Sequence, residues 1–138
     1  MAYYAAYRTP VLADDSGLEV DGLDGAPGVF SARFGGESLA WPQRWELMTS
    51  RLRGKDPAAW RARFRCVLCF YDGVQVPRFF QATSEGCIVP EPKGQKGFGY
   101  DPIFHSDDLD KTFAEASAEE KDRVSHRGRA VERFLAEF

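Results

Sequence analysis

The apolar residues of this chain follow two periods, and each period predicts a different kind of element. One set has the spacing of a single helix face and comprises Trp41, Trp45, Met48 and Leu52. It predicts a helix that buries this stripe, and a core role is favoured over a cofactor site. A second set with helical spacing comprises Val131, Phe134, Leu135 and Phe138. The capping pair Ser117 and Glu120 marks the start of this helical C-terminal region.

The extended period predicts strands in the first half and the middle of the chain. Segments 62–71 and 75–89 alternate in polarity around the turn residues Asp72 and Gly73, which predicts two paired strands. The short run Val11 to Ala13 predicts a buried strand that ends at acidic turn residues. Segment 2–8 is typical of the end of a helix, and 21–28 of a loop. Strands and helices together indicate an α/β or α+β class.

Composition narrows the class of protein. The 138 residues suit one domain, and 43% hydrophobic with 28% charged residues argues against disorder. The apolar runs are too short to cross a membrane, so we expect no membrane partner. A net charge of −3 disfavours nonspecific binding of nucleic acid, which depends on neutralising phosphates. The first residues lack the pattern of a signal peptide, and we expect a cytoplasmic protein.

Three cysteines are an odd number, which fits a reducing compartment better than a disulfide scaffold. Cys66 and Cys69 form a C-x-x-C pattern that is found in zinc and redox sites. In a strand, however, residues three apart lie on opposite faces, and no second pair of ligands follows. Buried small hydrophobic residues are the favoured interpretation.

A pair of carboxylates forms the first place where chemistry could lie. Asp14 and Asp15 follow the predicted strand and precede Ser16 and Gly17. The end of a strand is where α/β folds place active groups, and Mg²⁺ prefers one or two carboxylates plus phosphate oxygens. The other interpretation is an acidic turn closed by an Asx hydrogen bond. The order of residues does not match a calcium loop.

A glycine-rich segment forms the second place. Segment 94–102 carries three glycines around Phe98 and Tyr100, so its backbone turns tightly or approaches a ligand closely. An exposed aromatic face there can stack on a nucleobase. The pattern is neither a P-loop nor a dinucleotide fingerprint. A simple hairpin turn is the alternative.

A basic cluster forms the third place. Its residues lie in segment 119–129 of an acidic protein and comprise Lys121, His126, Arg127 and Arg129. Such a cluster suits a phosphate or a nucleobase carbonyl. The alternative is a solvated helix face with charge pairs four residues apart.

Taken together, these places resemble one family. The segments VLADDSGLEVDGLDGAPGVFSARFGG, GFGYDPIF and EEKDRVSHRGRA are similar, in order, to the signature segments of the inosine/xanthosine triphosphate pyrophosphatase family. The resemblance implies an α/β fold with an elongated mixed β-sheet flanked by helices, in two lobes with a central cleft. It also implies a homodimer that uses Mg²⁺ to hydrolyse nonstandard purine nucleotides. The substrates would be ITP, dITP or XTP, and the products the monophosphate and pyrophosphate.

The resemblance also implies roles for individual residues. Asp15 corresponds to the catalytic residue, as proton acceptor and Mg²⁺ ligand, and Asp14 is a second candidate for the metal. Ser16 would contact the substrate, and Phe98 would stack on the base. The base pocket would be completed by Gly99, Tyr100, Asp101, Lys121, His126 and Arg127.

The family has an N-terminal strand, a phosphate-binding loop and a glutamate-bearing helix to which nothing in residues 1–138 corresponds. We therefore expect residues 1–138 to form a single pyrophosphatase domain without these parts. Such a domain would keep the base pocket and have weak or no turnover. A catalytically silent nucleotide-binding or dimerising protein is the main alternative to an active enzyme, and a bare structural fragment is a third.

Overall fold

The computed structural model describes residues 2–138. A ten-residue strand, β1 (Val11–Val20), follows a short helix, α1 (Ala2–Tyr7). The helix agrees with the prediction for segment 2–8. The prediction of a strand that ends at the acidic residues is wrong, because β1 continues through them. Its partner β3 pairs with all ten residues, and this long-range register keeps Asp14 and Asp15 extended.

The hairpin predicted in the middle of the chain is confirmed. Strands β3 (Arg61–Tyr71) and β4 (Arg78–Ile88) pair antiparallel over ten positions. Side chains on successive residues point to opposite faces of the sheet. One face of β3 carries Ala62, Cys66 and Leu68, which are buried. The other face carries arginines, so the two faces differ sharply in polarity.

Short strands complete one six-stranded sheet in the order β2-β1-β3-β4-β5-β6. They are β2 (Pro27–Gly28), β5 (Phe104–Ser106) and β6 (Lys111–Thr112). Among residues 2–138, every strand pairing is antiparallel. The sheet flanked by helices agrees with expectation, whereas mixed strand directions are not found in this part of the chain. Hairpins and loops make these connections, and a parallel pair needs a longer crossover.

Helices pack on this sheet and on its loops. α2 (Trp41–Leu52) has the predicted bounds, and its residues Met48 and Leu52 are fully buried. α3 (Ala118–Val124) begins with the predicted capping box of Ser117 and Glu120. α4 (His126–Leu135) packs across β3 and β4.

The predicted apolar face of the last helix is only partly buried. Val131 and Phe134 pack against the sheet, as the helical spacing predicted. Leu135 and Phe138 are exposed, and Phe138 lies beyond the end of α4. Phe138 still contacts the rings of Phe70 and Phe134 with one side.

The interior contains two hydrophobic clusters. The larger lies between the sheet, α2 and the loop before β5, and includes Leu18, Met48 and Phe104. The smaller lies under α4 and includes Leu68 and Ala130. Both clusters lie on the same sheet, and the cavity described below lies between α2 and the start of α4. Within residues 2–138 no helix combines the length and the apolar character that spanning a bilayer requires.

Candidate functional site

A cavity of about 280 Å³ lies between β1, α2, the glycine-rich loop 94–100 and the α3–α4 junction. It collects the side chains that the sequence places far apart. All eight residues expected to bind substrate line it: Ser16, Phe98, Gly99, Tyr100, Asp101, Lys121, His126 and Arg127. A second cavity of about 580 Å³ adjoins it and shares Phe98, Lys121, His126 and Arg127.

The Asp101 side chain holds the glycine-rich loop in its conformation. Gly97 has a φ of +74°, and a Cβ there would lie 2.2 Å from the Asp101 carboxylate. The absence of a side chain therefore lets the carboxylate approach the loop, where it accepts a hydrogen bond from the Phe98 N–H at 3.0 Å. The segment forms a long loop between β4 and β5, and Asp101 fixes its tip.

Asp101 also holds Lys121 from α3. The Lys121 Nζ donates to the Asp101 carboxylate at 2.5 Å, and both side chains are largely buried. The same ammonium lies 4.4 Å from the centre of the Phe98 ring. A cation at this distance covers one face of the ring and interacts favourably with it. Phe98 is 71% exposed, so its opposite face is free to stack on a ligand.

Tyr100 forms a rigid wall of the cavity. Its ring is buried, and its hydroxyl donates a hydrogen bond to the Ser31 carbonyl at 2.6 Å. Trp41 packs edge-on against it with 5.0 Å between ring centres. Burial raises the pKa of Tyr100 well above its usual value, so the hydroxyl remains a donor at neutral pH.

Arg127, at the start of α4, joins the acidic motif of β1. Its Nε donates to the Asp14 carboxylate at 2.6 Å, and its Nη2 lies 3.3 Å from the other oxygen. Ser16 donates to Asp14 as well, at 3.1 Å. The hydrogen bond from Arg127 is the main reason why the pKa of Asp14 is lowered. Within residues 2–138, the Arg127 Nη1 group makes no hydrogen bond and can donate to a ligand.

Asp15 lies on the opposite face of β1 from Asp14. The reason is the strand itself, because successive side chains alternate between faces. Asp15 is exposed and lines a small cavity of about 70 Å³ with Arg65 and Val67 of β3. Ser16 and Gly17 line this cavity and also the larger one near Phe98, so β1 forms the wall between the two.

This arrangement decides which carboxylate fits a magnesium ion. Both oxygens of Asp14 already accept hydrogen bonds from Arg127, and its side chain faces away from Asp15. The two residues therefore do not form a joint pair of ligands here. Asp15 offers one exposed carboxylate, which fits an ion that takes its remaining ligands from water and phosphate. Among residues 2–138, no three metal-binding side chains are grouped.

His126 occupies the junction between α3 and α4. It is 8% exposed, and its ring stacks on Phe64 with 5.0 Å between centres. Burial is the main cause that lowers its pKa to about 4, with the nearby charges of Arg127 and Lys121 adding to the effect. The imidazole is thus neutral at pH 7. Its Nδ1 has no partner among residues 2–138.

This burial predicts that the protein loses stability in mild acid. The unfolded chain takes up a proton near pH 6.5, whereas folded His126 resists protonation down to about pH 4. The free energy of unfolding should therefore fall by about 2 kcal/mol between pH 7 and pH 5. Urea unfolding at both pH values measures it.

In the variant His126→Gln, most of this fall in the free energy of unfolding between pH 7 and pH 5 should disappear. The chain's other histidine, His105 on β5, provides a matched control, and His105→Gln should retain it. An equal pH dependence in the wild type and His126→Gln would show that another group titrates.

The residues of the basic cluster do not all point to the same place. Lys121, His126 and Arg127 reach the cavity. Arg129 turns away and donates to the Thr83 carbonyl of β4 and to Asp108. A backbone carbonyl on the outer side of β4 is thereby satisfied by an arginine. Arg129 therefore fits neither interpretation, and the solvated helix face with a charge pair four residues apart describes Glu119 and Arg123 instead.

The cavity has further walls that the sequence did not single out. They are Gly17, Leu18, Ser31, Ala32, Trp41 and Phe64. Trp41 belongs to the stripe that predicted α2 as a core helix, and its position at the start of that stripe was the only signal. The three cysteines are free thiols, and Cys66 and Cys69 lie on opposite faces of β3 as the strand spacing predicted.

Comparisons with known proteins show which family this chain is similar to. Residues 1–137 match the model of the Ham1 family. A dITP/XTP pyrophosphatase of Desulfotalea psychrophila is 44% identical over 128 residues, which are 93% of this chain and 56% of that protein. One of Halalkalibacterium halodurans is 45% identical over 128 residues, 93% of this chain and 66% of that protein. The chain thus spans about half to two thirds of the length of these relatives.

Solved structures show the same fold. The Ham1 protein of Staphylococcus aureus superposes with a TM-score of 0.91 at 39% identity, over 98% of this chain and 69% of that one. A HAM1 protein from Coxiella burnetii gives 0.86 at 38% identity, over 95% of this chain and 69% of that one. A match over almost the whole chain, in sequence and in structure, leaves one conclusion: the chain belongs to the Ham1 family.

Proposed function

We propose that this protein hydrolyses nonstandard purine nucleoside triphosphates, among them dITP, ITP and XTP, to the monophosphate and pyrophosphate. The observation that carries the proposal is the convergence of all eight expected substrate-binding residues on one cavity. The relatives named dITP/XTP pyrophosphatase add support. The reaction would remove damaged nucleotides from the precursor pool.

A hydrogen-bond donor of the cavity would let such a site distinguish one base from another. Hypoxanthine and xanthine carry a carbonyl at position 6, where adenine carries an amino group. The free Arg127 Nη1 group can donate to that carbonyl, whereas adenine would place a donor against a donor. The Arg127 side chain is 49% exposed in the free protein, so the penalty arises only where the bound base shields the donor from water. A donor that is shielded and left unpaired costs about 1–3 kcal/mol. The base would stack on the face of Phe98 that Lys121 leaves free.

Asp15 supplies the group for the chemical step. Its exposed carboxylate can orient a water molecule or accept a proton from it. We propose that the same carboxylate holds Mg²⁺, which when bound would offset negative charge on the phosphates. The Asp14–Arg127 pair would then fix β1 against α4, so that the base site and Asp15 keep their relative positions.

Release of pyrophosphate from ITP, XTP and ATP, with and without Mg²⁺, tests the proposed reaction. We expect release from ITP and XTP to exceed release from ATP and to require Mg²⁺. Equal rates for all three nucleotides would contradict it.

A second candidate is a protein that binds these nucleotides without turning them over. The position of Asp15, on the face of β1 that points away from the base cavity, favours it. Binding of the product IMP separates the two candidates from a bare structural fragment, since both require it. Turnover then separates the enzyme from the silent binder.

Two further properties belong to the proposal. We propose a cytoplasmic protein, which the three free thiols support because disulfides are rare in reducing compartments. We also propose a homodimer, as the family resemblance implies. Phe79 on β4 is 68% exposed, and covering it with a partner would be favourable.

A further inference from the structure

Helix α2 reaches the glycine-rich loop through one polar contact. The indole Nε1–H of Trp45 donates to the Gly99 carbonyl at 2.9 Å, across 54 positions of sequence. Gly99 lies between Phe98 and Tyr100, two aromatic residues of the loop that line the cavity. A bond to the peptide between them restrains both.

The helix that carries Trp45 is itself firmly held. Arg44 is buried and donates to the carbonyls of Phe34 and Gly36. Its guanidinium also lies 4.9 Å from the centre of the Trp41 ring. α2 is thus a rigid support, and a hydrogen bond from it gives the loop a fixed reference.

The loop needs such a support. Gly97 and Gly99 both have positive φ values, which only glycine adopts without strain. Asp101 holds the loop at the Phe98 N–H, and Tyr100 holds it through Ser31. The carbonyl of Gly99 is a third point near the tip at which the loop is held, and it accepts its hydrogen bond from Trp45.

We propose that Trp45 is a positioning residue for the base, which acts through the Gly99 carbonyl and sets the orientation of Phe98. It does not line the cavity that would hold the base. The inference rests on the proposed function, because it assumes that Phe98 stacks on a nonstandard purine. It assigns to α2 a task beyond filling the core.

The variant Trp45→Phe tests it, because phenylalanine keeps an aromatic ring and removes the N–H donor. We expect the affinity for IMP, measured by calorimetry, to fall by about 3- to 10-fold, the effect of one lost hydrogen bond. In turnover, KM should rise with little change in kcat. Trp60→Phe is the matched control, since Trp60 packs against the core away from this cavity.

Each outcome decides a different point. Unchanged IMP affinity in Trp45→Phe would overturn the inference, even if its stability fell. If the wild type fails to bind IMP, the proposed function fails, and amide hydrogen exchange of residues 97–101 then tests the restraint alone. Faster exchange in Trp45→Phe than in Trp60→Phe would support the restraint, and equal exchange would overturn it.

Discussion

Replacing Asp15 by asparagine is expected to lower pyrophosphate release from ITP by about 10²- to 10⁴-fold, the usual contribution of a positioned general base. The amide keeps the size of the side chain and loses the charge that would orient water and hold Mg²⁺. Asp15 is exposed, so the folded structure should be nearly unaffected. Steady-state kinetics and thermal unfolding of the variant measure both effects.

Two other aspartates make this experiment specific. Asp110→Asn is the control, because Asp110 is an exposed turn residue that lines neither cavity, and the turnover of this variant should equal that of the wild type. Asp14→Asn removes the negative charge that pairs with Arg127 and should act mainly on nucleotide affinity. If Asp14→Asn lost as much turnover as Asp15→Asn, the division of roles between the two carboxylates would be wrong.

The second large effect is expected for Asp101→Asn. This carboxylate is buried and shares a charge-assisted hydrogen bond with Lys121. Its neutralisation would leave a largely buried ammonium without a counter-charge, which costs about 3 kcal/mol of stability. The loop tip would loosen too, because the same oxygen accepts from the Phe98 N–H. We expect a drop in melting temperature of about 10 °C and at least a tenfold loss of IMP affinity.

The Arg61–Asp107 ion pair provides the comparison. It has similar hydrogen bonds, but its side chains are 41% and 46% exposed. Solvent screens such a pair, so Asp107→Asn should cost less than about 1 kcal/mol and leave IMP binding unchanged. Equal losses of stability in the two variants would mean that burial of the Asp101–Lys121 pair does not determine its strength.

Local patterns predicted most of the elements. The helical stripe from Trp41 to Leu52, the Ser117–Glu120 capping box and the hairpin of β3 and β4 depend on residues close in sequence. The length of β1 depends instead on its pairing with β3, about 50 residues away, and the apolar run alone suggested a strand of three residues. That pairing places Asp14 and Asp15 on opposite faces, whereas the motif alone suggested a joint site.

Local sequence patterns could not predict how the cavity is assembled either. Spacing along the chain could not bring Ser16, Phe98 and Arg127 together, and the resemblance of three segments to one family made that prediction. The contact of Trp45 with Gly99 lay beyond both kinds of reasoning. Trp45 belongs to the apolar stripe of α2, which predicts an ordinary core helix. Only the fold shows that the first residues of this stripe reach the site.

Selectivity of pyrophosphate release between ITP and ATP tests the central claim most directly. The measurement uses the 138-residue chain with Mg²⁺, with Asp15→Asn assayed in parallel and the ratio of kcat/KM as the readout. The account predicts a ratio of at least about 10 in favour of ITP, because adenine would leave the Arg127 donor unpaired. A ratio near one, with release that is unaffected in Asp15→Asn, would contradict both the base site and the catalytic assignment.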